Sequence, residues 1–416
     1  MSDPRHSSRR RTGQSRANAD VGRELPEHIE RVALVLQGGG ALGAFQAGAY
    51  EGLAAAGYAP DWVAGTSIGA IHAALLAGNP PERRVEALRR FWRRISRADW
   101  LDPPRWNDPL RRSYNGFHAS FGMLQGQPGF FRPRLTSPWL APPGTDAALS
   151  FYDVEALRRT LIELVDFDLL NQGVVRVSLG ATHTRTGRSV YFDSAREPIR
   201  LEHVLASAAL PPAFPPVEID GELYWDGGIV SNTPLEVVMD DYPRVSTLCF
   251  MVDLFDARDE PPATMGDVLE RHKDISYASR SEGHIQSFAK LHNLRRIINR
   301  LYSQMPDELR EKAAIQEMAG WGCTTTMSIV HMIYRATAAE SGSKDFEFSR
   351  ASIRDHWQAG LRDARRATED PGWLTPPNPD RGVTVQEIVS APEAESGDEP
   401  SASFADAPER ETAGDG

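Results

Sequence analysis

Between residues 32 and 77 the chain passes twice from a short apolar run, through a turn bearing glycines, into an apolar helix pattern. The first pass is Val32-Ala33-Leu34-Val35-Leu36, then Gly38-Gly39-Gly40-Ala41-Leu42-Gly43, then a helix pattern over 44–56 that Gly57 ends. The second is Trp62-Val63-Ala64, then Gly65-Thr66-Ser67-Ile68-Gly69, then a helix pattern over 68–77 that Gly78 can end. An unbroken apolar run suits a strand covered on both faces. Strand, helix, strand, helix in this order predicts an α/β domain with parallel strands and right-handed crossovers.

The rhythm continues with an amphipathic helix over 85–95, with Leu88, Phe91 and Trp92 on one side. Residues 99–150 break it. They are rich in Pro, Gly, Arg and aromatics, and read as an irregular insertion packed over the core. Trp100, Trp106, Phe117, Phe121, Phe130, Phe131 and Trp139 argue against full disorder there. The pattern resumes with a helix over 152–164, strands over 174–182 and 189–192, and a helix over 199–208. Asp220-Gly221 then marks a hairpin, and 245–252 reads as another apolar strand. Residues 29–255 thus form one α/β unit. From 256 to 389 the strand signal fades into a mostly helical extension, clearest over 286–305 and 349–368. The ends, 1–28 with Arg9-Arg10-Arg11 and the acidic 390–416, read as disordered tails.

Composition excludes several classes. A net charge of −11 gives no basic excess for neutralising phosphates, so nucleic acid is not an expected partner. No apolar run reaches the roughly 18 residues of a membrane span, and no apolar core follows the N-terminal arginines as in a secretory signal. Two cysteines, Cys249 and Cys323, are not a disulfide framework, which points to a reducing, cytoplasmic compartment. A peripheral touch of the basic N-terminus on an anionic membrane surface stays open.

Acyl transfer through serine needs an exposed hydroxyl, a base, and donors for the oxyanion. Gly65-Thr66-Ser67-Ile68-Gly69 can present Ser67 on a sharp strand-to-helix elbow. The glycines Gly38, Gly39, Gly40 and Gly43 can turn backbone N–H groups into a cleft, at the positive end of the following helix. The same glycines also fit a dinucleotide fingerprint, which expects an acid at the end of the next strand. Asp61 instead precedes that strand, so this reading is disfavoured. A purely structural glycine turn is the remaining alternative.

The base is less obvious. His72 lies five residues along the helix from Ser67, about 140° away around the axis, and reads as a packed residue. His183 and His203 have no acidic or serine context. His272, His284, His292 and His331 lack metal-ligand spacing, so neither a metal nor a cofactor is expected. Asp226 is the better candidate. It stands at a predicted strand end, and Gly227 and Gly228 let it approach a cleft without crowding. Alone, Asp226-Gly227 would be an ordinary turn; its company with Ser67 and the glycine loop favours the base.

These residues resemble the patatin-like phospholipases over roughly 30–245. The resemblance rests on Gly38–Gly43, Gly65–Gly69, Asp226-Gly227-Gly228 and the proline-rich segment 206–216. One departure is Leu42, where many members carry Lys or Arg. The resemblance implies a three-layer α/β/α sandwich with a mostly parallel central sheet, the helical region following it. It implies a Ser–Asp dyad without histidine: Ser67 as nucleophile, Asp226 as base, and the Gly39 and Gly40 N–H groups as oxyanion donors. It also implies a lipid or other acyl-ester substrate, cleaved as by a phospholipase A or lysophospholipase. The insertion's aromatics would then be a structural cover or part of an acyl-binding rim. A non-catalytic binding protein retaining the fold is the alternative.

Overall fold

The computed structural model describes residues 23–97, 108–258, 261–336, 340, 344–369, 371–375 and 381–390. Most of both expected disordered tails, with Trp100 and Trp106, lies outside the described residues. The first half runs β1 (Arg31–Leu36), α1 (Gly43–Ala55), β2 (Trp62–Thr66), α2 (Ile68–Ala77), α3 (Arg84–Ile95), α4 (Asp108–Gln125), β3 (Arg132–Pro133), α5 (Asp146–Leu149), β4 (Tyr152–Asp153), α6 (Glu155–Leu164) and α7 (Phe167–Asn171). Next come β5 (Arg176–His183), β6 (Ser189–Asp193), α8 (Leu201–Ser207), β7 (Val217–Ile219), β8 (Glu222–Asp226), α9 (Leu235–Met239) and β9 (Thr247–Asp253). The C-terminal part holds α10 (Met265–Ser303), α11 (Asp307–Arg310), α12 (Ala313–Ala319), β10 (Met327–Ile333), α13 (Arg350–Glu369) and β11 (Val383–Val389).

Nine strands form one sheet in the order β11-β10-β9-β1-β2-β5-β8-β7, with β6 on β5. Every pairing from β11 to β5 is parallel, and the β6, β7 and β8 pairings are antiparallel. Alternate side chains of β1 enter two different cores, because a pleated strand points successive residues to opposite faces. Val32, Leu34 and Leu36 join one core, with α1, α2, α3 and α13; Ala33 and Val35 join the other, with α9 and α10. The result is the expected α/β/α sandwich.

Two findings go beyond the sequence reading. The region after residue 256 is mostly helical, yet it also completes the sheet: β10 is buried along its whole length beside β9, and β11 extends it. Helix α13 in turn lies on α1 at close range. A Cβ on Gly48 would stand 1.9 Å from the Trp357 carbonyl oxygen, and one on Gly360 1.9 Å from that of Phe45. Trp357 Nε1 donates to Glu51 Oε2 at 2.7 Å across the same contact. The second finding corrects the insertion. Its described part is not irregular throughout, for α4 is an 18-residue helix whose pattern Gly116 and Gly122, poor helix formers, conceal.

Candidate active site

Strand β2 delivers Ser67 into a backbone conformation that L-residues rarely adopt, with φ 57° and ψ −122°. Such a residue costs about 1–3 kcal/mol and persists only when its surroundings hold it. Here the Ser67 N–H donates to the Ser207 carbonyl at 3.1 Å and lies 3.2 Å from its hydroxyl. The turn admits no side chain at either flank. A Cβ on Gly65 would fall 2.1 Å from the Gly69 carbonyl oxygen, and one on Gly69 2.3 Å from that of Leu36. Ser67 is left half-buried at the positive end of α2.

Asp226 reaches the same place through the sheet. On β5, Gly180 pairs with Thr66 and the next residue, Ala181, pairs with Asp226. Because β6 occupies the other edge of β5, β8 continues the edge where β2 stops. The ends of β2 and β8 therefore meet. Asp226 is 1% exposed. Its Oδ1 accepts the Gly228 N–H at 2.7 Å, while Oδ2 is buried without a formed hydrogen bond. Burial pushes the carboxyl up to about 7; the nearby Ser67 side chain and the Gly228 N–H pull it back only in part.

The glycine loop is tied down by a residue the sequence reading did not single out. The Asn232 amide donates to the Gly38 carbonyl at 2.9 Å, and the Gly38 N–H donates to the Asn232 carbonyl at 3.0 Å. Gly38 is thereby spent. Gly39 and Gly40, the latter at φ 55°, have no acceptor for their N–H groups among the described residues. Asn232 was legible as a polar residue just beyond Gly227-Gly228; Ser207, a helix-end serine, carried no comparable signal.

Ser67, Asp226, Gly38, Gly39, Gly40 and Gly228 all line one pocket, which encloses about 670 Å³ of space, open solvent at its mouth included. Gly43, Gly65, Gly69 and Gly227 do not line it and act on the backbone behind it. Phe130 and Phe131 of the insertion form one wall with Phe214. Phe255, Tyr277, Asp345, Phe346 and Phe348 bring the region after residue 254 over the top, with the Asp345 carbonyl against Gly40. Phe117, Phe121 and Trp139 stay outside. No Lys, Arg or His is among the described lining residues. Leu42 is fully buried, so a cation expected at that position is replaced by core packing.

The other candidates fall into structural places. His72 is 1% exposed, its Nε2 accepts from Trp92 Nε1 at 3.1 Å, and its Nδ1 meets Gln46 Oε1 at 3.0 Å. Burial lowers its pKa to about 3. Asp61 Oδ2 accepts the Val32 N–H at 2.8 Å, at the start of β1. Both cysteines are free and buried. Among the described residues no cluster of His, Cys, Asp and Glu could hold a metal, and no helix is long and apolar enough to cross a membrane.

A family model described as patatin-like phospholipase matches residues 34–239, and a second, DUF3734, described as patatin phospholipase, matches 275–380. Among solved structures, the crystal structure of VipD from Legionella pneumophila is similar at 14% identity and a TM-score of 0.33, covering 81% of this chain and 67% of that one. That likeness is too low to carry an argument. No curated protein matches the sequence.

Proposed function

Because the chain belongs to the patatin-like phospholipase family, we propose that it hydrolyses carboxylic esters of lipids through an acyl-enzyme on Ser67, with Asp226 as general base. Asp226 takes the Ser67 proton as Oγ attacks the ester carbonyl. The oxyanion lies against the Gly39 and Gly40 N–H groups, each such donor worth roughly 3–4 kcal/mol in the transition state. The tetrahedral species collapses, the alcohol leaves with the proton from Asp226, and the acyl group stays on Ser67. Water then attacks, Asp226 accepting its proton and returning it to Ser67 as the fatty acid departs.

The observation that carries this reading is the register on β5, which sets the end of β2 against Asp226. A carboxyl held at about 7 is also a far better base at neutral pH than an ordinary aspartate near 3.9. The phenylalanine walls suit an acyl chain, and the lining offers no cation to an anionic headgroup. A phospholipase A or lysophospholipase substrate would therefore keep its headgroup at the mouth.

A fluorophosphonate probe tests the assignment. Labelling of the wild type that vanishes in Ser67→Ala is the expected result. A folded wild type that takes no label, and releases no fatty acid from a panel of lipid esters, would favour the binding-protein alternative.

A further inference from the structure

The insertion that supplies Phe130 and Phe131 carries a second feature outside the pocket. Leu110, Phe117 and Leu124 recur every seven residues along α4, which sets them on one stripe, and all three are exposed. Leu135 is fully exposed, Trp139 is 88% exposed and Leu140 82%. The segment that bears them starts where α4 ends, next to Leu124. Gly126, just beyond α4, sits against β3, and Leu135 follows β3 by two residues.

The loop carrying them hangs from the pocket rim at both ends. It leaves after Phe131, which lines the pocket, and returns where the Phe151 and Tyr152 N–H groups donate to the Pro212 and Ala213 carbonyls, beside the lining residue Phe214. Arg132, at its base, is exposed and makes no ion pair among the described residues. Isolated exposed apolar residues are ordinary, whereas a contiguous set beside a site marks an interaction surface.

We propose that Leu135, Trp139 and Leu140, with the outer stripe of α4, form a docking face for a lipid surface, set at the rim of the acyl pocket. The occupant follows from continuity: the same insertion builds the pocket wall and the exposed face, so a bilayer seated there presents acyl esters at the mouth. An exposed indole and two exposed leucines within six residues, with an exposed arginine at the base of the same loop, match the apolar-to-anionic boundary of a lipid layer. The proposal rests on the lipid-ester reading of the site.

The test is cosedimentation of the full chain with vesicles of ether-linked phosphatidylcholine and phosphatidylglycerol, which no esterase can degrade. Wild type sediments with the vesicles. Leu135→Ser/Trp139→Ala/Leu140→Ser partitions about tenfold less or weaker still, while turnover of a soluble short-chain ester stays within about twofold of wild type. Trp139→Ala alone, at an exposed site, gives a smaller loss in the same direction. Equal sedimentation of wild type and the triple variant overturns the proposal. So does a wild type that ignores vesicles and instead forms a dimer that the triple variant abolishes. Failure of wild type to turn over the soluble ester would count against the Ser67 reading and not against the docking face, which the vesicles report directly.

Discussion

Thr66 at the end of β2 and Asp226 at the end of β8 pair with consecutive residues, Gly180 and Ala181, of the one strand β5. Residues 160 positions apart in the chain are thereby placed by backbone hydrogen bonding rather than by a flexible loop. The carboxyl that follows is buried, holds one backbone N–H, and keeps its second oxygen unbonded beside Ser67.

That geometry fixes a pH dependence. With its carboxyl raised to about 7, Asp226 is protonated in mild acid and ionises as pH rises through that value, so the proposed base is available only above it. For a soluble ester, kcat/KM should show an ascending limb with an apparent pKa of about 7. Asp226→Asn should lower it by about 10²–10⁴-fold or more. His72, held near 3 by burial, contributes no limb, so His72→Gln should keep it. A flat profile between about pH 5 and pH 9, or a limb that disappears in His72→Gln, would contradict the assignment.

The same burial works against stability. The folded carboxyl titrates at about 7 and the unfolded one near 3.9, so the fold favours the neutral acid. Below about pH 4 the group is neutral in both states, and this contribution is fully present. It is lost as pH rises toward about 7, where ionising a buried group costs on the order of 4 kcal/mol. Asp226→Asn stays neutral throughout and can still accept the Gly228 N–H. Denaturant unfolding should find the variant more stable than wild type at about pH 8 and nearly equal at about pH 4. A variant less stable at the higher pH would show that Asp226 is not strained by burial.

Asn232 clamps the glycine loop from within the same pocket. Its amide and carbonyl both engage Gly38. Asn232→Ala removes the amide clamp and lets Gly39 and Gly40 drift. The expected cost is roughly 1–3 kcal/mol, seen as a kcat lowered about 10–100-fold with KM changed by less than about threefold. A shift confined to KM, or to melting temperature alone, would assign Asn232 a packing role.

The elbow, the glycine loop and Asp226 could be read from the sequence because each has a local requirement: no side chain at Gly65 or Gly69, an open backbone at Gly39 and Gly40, a strand end at Asp226. The pocket roof could not. Tyr277, Asp345, Phe346 and Phe348 reach the site only because α10 and α13 fold back over the sheet, and nothing in their own neighbourhood encodes that return. Strand β10 escaped for a related reason. Ser328 and His331 interrupt its apolar run, and only the buried His331–Asp253 contact at 3.0 Å shows why a histidine is tolerated there.

The roof is latched by Lys344. Its side chain is 4% exposed, and Nζ reaches Asp274 at 2.9 Å and Glu270 at 3.3 Å, both on α10. Burial works to lower the lysine's pKa, and the two carboxylates outweigh it, so the charge is retained. Lys344→Met would leave the buried Asp274 without its ion-pair partner and Glu270 with Arg112 alone at 3.6 Å, and should cost about 3–5 kcal/mol. Adding Glu270→Gln and Asp274→Asn should recover much of that, since a neutral set of this shape leaves no unpaired charge. Phe346 and Phe348 follow directly on this latch and line the pocket that also holds Ser67. Loosening it should therefore raise KM for a long-chain ester more than for a short-chain one. Equal changes for both chain lengths, at a temperature where the variant remains folded, would show that the roof does not hold the acyl chain.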